Sequence, residues 1–491
     1  MPKISLVDAA AAFGDEAVVI GVHSSDNGPV LAAGAEPVDA VLGGRLTAAL
    51  TTAGATGKLD EVTKIPTLGL APFPLVVASG VGPANGVLDD EVVRGAVGAA
   101  MRALGGTARV RTAIGDAASA AAEGALFGSY AFSSYKSTAV PPAARRVSIG
   151  VSRPRDAHAR AGLRRAQVVG QAVSLTRDLV NTPPNDMYPA ALARRATEVA
   201  NAAGIDVEVL DEKDLTRGGY GGIVGVGAGS ARPPRLVRLT YRPARPRGRV
   251  ALIGKGITFD SGGYNLKPGP GMAHMKSDMG GAAAVIASMA ALAGLQVPVE
   301  VIATVPIAEN LMSGTAYRPS DVLTLRGGRT VEITNTDAEG RVVLADAIVR
   351  AVEDRPDYLI ETSTLTGGQV VALGLRVIAA MGDPALRDRV VAAGNATGEH
   401  VWAMPLPDEL RTALDSPIAD LINAPSERWA QMLVAGVFLG DFVPDGLPWV
   451  HLDIAGPAYN PGAAHGYTPK GATGAVVRTL IAAVEDLAEV G

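Results

Sequence analysis

Three charged side chains lie at alternate positions in one short string of the sequence. Asp337, Glu339 and Arg341 belong to the string NTDAEGR at residues 335–341. The β-branched residues 330–334 before it predict a strand, and the apolar residues after it have helical spacing. Side chains two apart in an extended chain point the same way, so we expect these charges together at the carboxyl end of a strand, where open α/β sheets bind ligands. A solvated turn with an acid near a helix start would also explain them.

Two further charged turns follow predicted elements of the same kind. Lys255 and Asp260 come directly after the predicted strand 249–254, in the glycine-flanked string KGITFDSGG, and Lys267 follows a few residues later. Asp278 lies in the string MKSDMGG before an apolar segment that predicts a helix. Taken singly, Asp278 is explained equally well as a helix cap, and the lysines as solvated or phosphate-binding groups.

The three turns together would bring four carboxylates to one edge of the sheet, those of Asp260, Asp278, Asp337 and Glu339. Four carboxylates do not stay ionised together unless cations compensate them. Oxygen ligands without cysteine or paired histidine suit Mg, Mn or Zn, and four are more than one open catalytic ion needs. We therefore predict two divalent ions about 3.5–4 Å apart, with a bridging water that becomes a hydroxide and attacks an electrophile. The absence of an HExxH string argues against a single-zinc protease.

Two lysines in such a site would have different tasks. A lysine beside two dications should lose its proton, and its neutral nitrogen could then coordinate. A lysine that stays charged could hold a carbonyl oxygen as negative charge develops on it. The spacing does not decide which of Lys255 and Lys267 has which task.

The elements that position these turns indicate an α/β fold in two domains. The 491 residues exceed the usual size of one domain, and strand-like and helix-like segments alternate along the chain. We predict a smaller N-terminal α/β domain and a larger catalytic α/β domain with a central, mostly parallel sheet. The predicted boundaries are 1–155 for the N-terminal domain, 156–180 for a linker helix and 181–491 for the catalytic domain.

The linker helix is bounded by prolines on both sides. A proline-containing connector at 139–146 precedes it. The helix itself is predicted from 156 to 179, because Pro183 and Pro184 forbid its continuation.

Composition excludes several classes of protein. The net charge is −5, so no global attraction to nucleic acid or an anionic membrane is expected. There is no cysteine, which excludes disulfides and thiolate metal sites and permits the cytoplasmic location that we expect. We see no signal peptide pattern at the start. The longest apolar run, residues 282–295, is too short to span a bilayer and predicts a buried helix.

A glycine-rich string at 222–230, GIVGVGAGS, has the composition of a nucleotide-binding loop. Such a loop needs a strand before the glycines and a helix after them. Here a proline-containing segment and a predicted strand at 236–241 follow, so we reject dinucleotide binding and predict tight backbone turns at these glycines.

Taken together, the strings resemble those of the leucyl aminopeptidase (cytosol aminopeptidase) family. The likeness covers about residues 170–490, while the first 155 residues fit the variable N-terminal domain of that family only in general terms. It is carried in order by GKGITFDSGG at 254–263, MKSDMGG at 275–281, NTDAEGR at 335–341, TLTG at 364–367, HLDIAG at 451–456 and GATG at 471–474.

The resemblance implies a dinuclear metal aminopeptidase that uses zinc or manganese, with magnesium as a further option. It would release leucine-like N-terminal residues from short peptides through a metal-bridging hydroxide. Asp260 and Glu339 would bridge the two ions, and Lys255 would be the neutral lysine that coordinates. The implied metal ligands are Lys255, Asp260, Asp278, Asp337 and Glu339.

The resemblance also implies roles around the metals. Lys267 would polarise the scissile carbonyl, and Arg341 would hold a bicarbonate that acts as general base. Family members form hexamers of two trimers, so a homohexamer is expected. The residues implied to help line the pocket for the first side chain are Met275, Thr364, Leu365 and Gly367.

Three departures from the family pattern concern the pocket rather than the metal ligands. Glu361 stands where Asp or Asn is expected, Ala273 stands where an acid is frequent, and residues 429–442 keep only part of the pattern. We expect structural or supporting roles for His274 and His451, because the carboxylates already supply the ligands. For His23 we also favour a structural role.

Two other functions remain open from the sequence. One is a different metal hydrolase, such as a phosphatase or an amide deacylase. The other is a DNA-binding architectural role, which some members of the resembling family have. The charge of −5 and the lack of a basic cluster make nucleic acid an improbable partner.

Overall fold

The computed structural model describes nearly the whole chain, in the ranges 1–84, 88–138, 140–141, 143–427 and 429–490. The chain forms two compact units, Met1–Ser174 with Gly462–Lys470, and Leu175–Pro461 with Gly471–Gly491. Ala139 and Pro142 of the predicted connector lie outside the described residues.

The first unit is built on a mixed sheet with the strand order β1-β7-β6-β2-β5-β4 and with β3 paired to β2. Pairs within β1, β7, β6, β2 and β5 are parallel, whereas β3 and β4 run antiparallel to their neighbours. The elements are β1 (Lys3–Asp8), β2 (Ala17–Ser24), β3 (Val30–Leu31), α1 (Glu36–Val41), α2 (Leu46–Thr52), β4 (Val62–Pro66), β5 (Leu75–Pro83), α3 (Asp90–Ala103), β6 (Arg109–Ala113), α4 (Ala118–Gly128) and β7 (Arg146–Val151).

A long helix, α5 (Ala157–Asn181), follows this unit and confirms the helix predicted at 156–179. It ends just before Pro183 and Pro184, which cannot continue a helix because proline lacks the backbone N–H and clashes with the preceding turn. Its last residues, from Leu175 onward, belong to the second unit.

The second unit contains the remaining elements. In its first half they are α6 (Pro189–Ala203), β8 (Asp206–Leu210), α7 (Glu212–Arg217), α8 (Gly221–Gly227), β9 (Arg235–Tyr241), β10 (Arg249–Gly254), β11 (Gly256–Asp260), α9 (Gly269–Met272), a 3₁₀ helix (Met275–Met279), α10 (Gly280–Gly294), β12 (Glu300–Asn310), β13 (Val322–Thr324), β14 (Thr330–Glu332) and α11 (Glu339–Val352). In its second half they are β15 (Tyr358–Ser363), α12 (Gly367–Leu373), β16 (Ile378–Gly382), α13 (Pro384–Ala396), β17 (Val401–Ala403), a 3₁₀ helix (Asp408–Leu414), β18 (Leu421–Ile422), α14 (Gln431–Gly440), β19 (Trp449–Asp453), β20 (Tyr459–Asn460), β21 (Gly471–Ala472) and α15 (Val477–Val490).

The central sheet of this unit has the order β17-β16-β19-β15-β10-β12-β9-β8, with β11 also paired to β12. The pairs β10–β12, β10–β15, β15–β19, β11–β12 and β16–β17 are parallel, and the pairs β12–β9, β8–β9 and β16–β19 are antiparallel. The predicted α/β fold with a central, mostly parallel sheet is therefore confirmed.

Burial explains why the central strands carry apolar residues on both faces. Every residue of β12 is buried, and α10 and α11 are buried on nearly all sides. A strand covered by helices on both faces has no solvent-facing positions, so it needs no alternation of apolar and polar residues. The core includes Ile253, Ile257, Val342, Leu344 and Leu359.

The apolar segment 282–295, predicted as a buried helix, forms most of α10 and its C-cap. Within the described residues, the stretch Met275–Gly294 is long and apolar enough to cross a membrane by length and composition. However, 83% of its most apolar window is buried inside the protein, as expected for a core helix.

The prediction of turns at the glycine string 222–230 is wrong for most of its length, because α8 runs from Gly221 to Gly227. Here glycine provides room rather than a turn. A Cβ on Gly221 would lie 1.9 Å from the carbonyl oxygen of Thr324, and one on Gly225 would lie 2.7 Å from Leu323 Cδ1. The string thus lets a helix approach its neighbours closely, which local turn signals do not reveal.

The predicted extended conformation of residues 335–341 is also wrong. The strand before them, β14, is short and belongs to a separate three-stranded sheet, β13-β14-β18, rather than to the central sheet. Asp337 lies in a turn, and Glu339 and Arg341 lie in the first turn of α11. The apolar residues that follow favour helix strongly enough to draw these two residues into it.

Candidate metal centre

The charged cluster consists of two lysines and four acids, Lys255, Asp260, Lys267, Asp278, Asp337 and Glu339. Its first half is centred on Lys255, which lies between β10 and β11. Its side chain is buried, and its ammonium group lies 2.9 Å from Asp278 Oδ2 and 2.8 Å from Glu339 Oε1. It also donates a hydrogen bond of 3.1 Å to the carbonyl oxygen of Thr364. Three separate segments thereby meet at one lysine.

The second half of the cluster is centred on Lys267. Its ammonium group lies 2.8 Å from Asp260 Oδ2 and 2.6 Å from Asp337 Oδ1. Among the described residues, Asp260, Asp337 and Glu339 can place one ligand oxygen each within 4.8 Å of one another. The structure therefore brings together the five predicted ligands and Lys267.

Neighbouring carboxylates decide the charge of both lysines. Burial disfavours each ammonium group, yet Asp278 and Glu339 raise the pKa of Lys255 above its usual value. In the same way, Asp260 and Glu339 raise the pKa of Lys267 against the effect of burial. With only carboxylates around them, both lysines are charged.

The pKa values of the four carboxyl groups do not all shift in the same direction. Burial raises the pKa of Asp260 to about 6, and it raises the pKa of Asp278 well above its usual value. Burial also raises the pKa of Asp337. For Glu339 burial acts in the same direction, but the two lysines together lower its pKa below the usual value.

The donor set fits divalent cations. Four carboxylates surround two ammonium groups, which leaves two negative charges uncompensated when all six groups are ionised. Asp278 Oδ2 and Asp337 Oδ1 are buried, and each contacts a lysine ammonium group without the geometry of a hydrogen bond. Buried oxygen ligands with excess negative charge, supplemented by amine nitrogen and no thiolate, suit zinc, manganese or magnesium.

Asn310, at the end of β12, holds one side of the cluster, and sequence analysis missed it. Its fully buried amide group donates to Asp260 Oδ1 at 2.8 Å and to the carbonyl oxygen of Thr336 at 2.9 Å. Tyr317 donates to the same carbonyl oxygen at 2.8 Å. A polar residue at the carboxyl end of a strand was the available signal.

Asn423, which follows β18, holds the turn before α11 and was also missed. Its side-chain oxygen accepts the backbone N–H of Thr334 at 2.8 Å, and its amide donates to the carbonyl oxygen of Asn335 at 2.6 Å. Its backbone carbonyl accepts a 2.9 Å hydrogen bond from Arg341. No local pattern links it to a string more than eighty residues earlier in the chain.

Arg341 is buried and only partly satisfied. Its Nε atom has no hydrogen-bond partner, and its recorded acceptor is the carbonyl oxygen of Asn423. Burial lowers its pKa to about 10, although Glu339 and Asp453 act in the opposite direction. A buried guanidinium with a free donor is suited to a small anion.

The segment 364–367, after β15, adjoins the cluster. Thr364 donates a 2.7 Å hydrogen bond to Asp278 Oδ1. Leu365 is half-buried, and Gly367 is exposed at the start of α12. Met275 is half-buried in the 3₁₀ helix that also carries Asp278. Thr364 thus lies against the charged groups, while Met275 shares an element with one of them.

The histidines and the departures from the family pattern lie apart from the ligands. His451 Nδ1 contacts Glu361 across adjacent strands, and both side chains are fully buried. Burial lowers the pKa of His451, but Glu361 outweighs this effect and raises it. His274 stacks near Tyr459 with ring centroids 5.3 Å apart.

Three other positions named in the sequence analysis, His23, Ala273 and Trp429, also lie away from the ligands. His23 Nδ1 lies 3.2 Å from the carbonyl oxygen of Gly82 in the first unit. Ala273 and Trp429 are both exposed. None of these residues contacts the charged cluster in the described contacts.

Comparison with known proteins identifies the family. Residues 174–481 match the catalytic domain of the cytosol aminopeptidase family, and residues 19–139 match its N-terminal domain. The chain is 51% identical to a probable cytosol aminopeptidase of Rhodococcus opacus (strain B4), over 97% of this chain and 95% of the relative. It is also 51% identical to one of Mycobacterium marinum (strain ATCC BAA-535 / M), over 96% and 92%.

A solved structure agrees with these matches. The bottromycin maturation enzyme BotP in complex with Mn is 38% identical, with a TM-score of 0.85 over 96% of this chain and 99% of that one. The two domains of the family are matched in the expected order, and the relatives are matched over nearly their full length. These matches establish the family of this chain. The chain belongs to the cytosol aminopeptidase family and is an aminopeptidase, a peptide hydrolase of a metal-dependent family.

Proposed function

We propose that this aminopeptidase holds two divalent ions per subunit and removes leucine-like residues from the amino terminus of short peptides. The observation that carries the proposal is the buried excess of carboxylates around Lys255 and Lys267. Zinc and manganese are the favoured ions, manganese because a related structure contains it, and magnesium suits the same oxygen ligands. The proposed metal ligands are Lys255, Asp260, Asp278, Asp337 and Glu339.

Ions held by these residues would supply a binding site for the free amine of the substrate and a hydroxide for attack on the first carbonyl. Lys255 is proposed as the lysine that coordinates, because its nitrogen lies within 2.9 Å of oxygens of Asp278 and Glu339, two of the proposed metal ligands. The positive charge of the ions would displace its proton. Lys267 would stay charged and stabilise the carbonyl oxygen as negative charge develops on it. The more accessible position of Lys267, with 18% of its side chain exposed against 3% for Lys255, supports this division.

Arg341 is proposed to hold a bicarbonate that takes a proton from the attacking water. The unpaired Nε of this buried side chain supports an anion site. The first side chain of the substrate would lie against the segment after β15 and the 3₁₀ helix that carries Asp278. The proposed lining residues are Met275, Thr364, Leu365 and Gly367.

Location, assembly and domain division complete the proposal. A homohexamer in the cytoplasm is expected from the family likeness, with no role for membrane or nucleic acid. The proposed division is 1–155 for an N-terminal domain, 156–180 for a linker helix and 181–491 for the catalytic domain.

Metal removal and two substitutions test the proposed chemistry. Protein stripped with a strong chelator should lose hydrolysis of leucine p-nitroanilide and regain it with about two equivalents of zinc or manganese, counted by metal analysis. Asp337→Asn and Glu339→Gln should abolish turnover, while the exposed control Asp388→Asn should not change it. Full activity after chelation, or faster cleavage of a phosphomonoester than of the anilide, would refute the proposal.

A further inference from the structure

Asp453 lies where two adjacent strands of the central sheet end. It is the last residue of β19 and pairs with Ser363, the last residue of β15. Its carboxylate is fully buried, although no lysine or arginine forms an ion pair with it in the described contacts. A buried carboxylate must be compensated by hydrogen-bond donors if it is to remain ionised.

Three donors converge on Asp453, and two of them come from the segment that follows β15. Oδ2 accepts the hydroxyl of Thr366 at 2.7 Å. Oδ1 accepts the backbone N–H of Leu365 at 3.2 Å and that of Ala455 at 3.1 Å. Asp453 therefore fixes the main chain of one residue and the side chain of the next in the segment proposed to line the substrate pocket.

The same segment is held at its two ends by other contacts. The hydroxyl of Thr366 accepts the backbone N–H of Gln369 at 3.0 Å and so caps the start of α12. At the other end, Thr364 donates to Asp278 and its carbonyl accepts Lys255. Leu365 lies between two fixed neighbours, and its own backbone is tied to Asp453.

We propose that Asp453, acting through Thr366, is a positioning residue that sets the location of Leu365 and thereby the preference for the first side chain of the substrate. This inference rests on the proposed leucine-directed aminopeptidase activity. Asp453 is separated from the substrate by the segment that it holds, so its loss should change which side chains fit rather than remove the chemistry.

The chemistry of the three donors explains why an acid is needed at this position. A carboxylate is an acceptor at both oxygens, so it can receive all three donors at once. Asparagine of the same size offers one oxygen and would turn a donor toward Thr366. The hydroxyl of Thr366 would then have to accept a hydrogen bond from residue 453 instead of donating one to it.

The test compares two anilides in matched variants. Thr366→Val removes the hydroxyl at nearly constant volume, and Thr366→Ser keeps it. We expect Thr366→Val to lower the ratio of kcat/KM for leucine p-nitroanilide over alanine p-nitroanilide by roughly tenfold, because a hydrogen bond to a charged group is typically worth at least that factor. The fall should lie mainly in KM for the leucine substrate, and Thr366→Ser should restore the ratio.

A second variant keeps the test decisive if Thr366→Val does not fold. Asp453→Asn should lower the same ratio to a smaller extent than Thr366→Val, because the hydroxyl of Thr366 can still accept a hydrogen bond from the asparagine amide. If the folded variants keep the wild-type ratio of the two kcat/KM values, even with a lower Tm, the positioning role is overturned. It is also overturned if Thr366→Ser lowers that ratio as much as Thr366→Val does. A wild-type protein that cleaves neither anilide would instead refute the proposed function.

Discussion

Gly340 allows the central lysine of the metal centre to lie against the start of α11, and replacing it tests the geometry directly. A Cβ at this position would lie 2.6 Å from Lys255 Cε and 2.7 Å from its Nζ. Ordinary contacts of a Cβ begin near 3.4 Å, so the ammonium group would have to move by about 0.7 Å, the difference between 3.4 and 2.7 Å. The ammonium group lies within 2.9 Å of oxygens of Asp278 and Glu339, so its displacement would change both ion pairs.

The expected result of Gly340→Ala is a large loss of activity with a small change in stability. Misplacement of a catalytic group by about 1 Å costs on the order of 10²-fold in rate, so we expect kcat/KM to fall by roughly that factor. Overpacking costs about 1–3 kcal/mol, and the better helix propensity of alanine returns about 1 kcal/mol, so the free energy of unfolding should fall by about 2 kcal/mol or less.

The assay is hydrolysis of leucine p-nitroanilide at saturating zinc or manganese, with thermal unfolding measured in parallel. Gly95→Ala in α3 is the matched control, because it also replaces a helical glycine but its Cβ would meet nothing within 4 Å. We expect full activity from this control. A Gly340→Ala enzyme with at least half of the wild-type kcat/KM would show that Lys255 is not needed at its observed position.

Three further predictions follow from other features of the second unit. Lys267→Ala should mainly lower kcat, whereas Lys255→Ala should raise the metal concentration needed for half-maximal activity; the opposite pattern in a metal titration would exchange their roles. Asn310→Ala should lower the free energy of unfolding by about 1–3 kcal/mol, measured by denaturant titration, because it removes one of the donors to the buried carboxylate of Asp260; an unchanged midpoint would contradict this. Burial raises the pKa of Asp346 to about 7, so its contribution to stability is complete below pH 4 and is lost as the pH rises through 7. Relative to Asp346→Asn, the wild type should lose up to about 1.4 kcal/mol per pH unit between these values, and parallel pH profiles of the two proteins would refute this.

The charged cluster could be predicted from sequence because its parts follow elements that local patterns reveal. Lys255 and Asp260 follow a strand with a continuous apolar run, and Asp278 precedes a helix with a clear composition. To predict that the carboxylates lie together, it was enough to expect that these segments meet at one edge of the sheet. It survived an error in local conformation, because Asp337 and Glu339 reach the cluster from a turn and a helix start rather than from an extended strand.

The supporting residues could not be predicted, because their partners are distant in sequence. Asn310 is 50 residues from Asp260, and Asn423 is 88 residues from Asn335. An asparagine in isolation is typical of a turn or a cap, and only the folded chain shows that it orients a carboxylate or fixes a loop. The glycines of α8 were wrongly predicted as turns for a related reason. The residues that leave no room for a Cβ there are far along the chain.

The two ammonium groups within the acid cluster have a consequence for how the protein acquires its ions. Since Lys255 and Lys267 already supply positive charge, the chain can gather these acids while it folds, without help from solution. A dication that binds at this cluster would replace positive charge that a lysine already supplies, either through loss of the lysine's proton or through movement of its side chain. Metal loading would then be an exchange of positive charges rather than a simple addition.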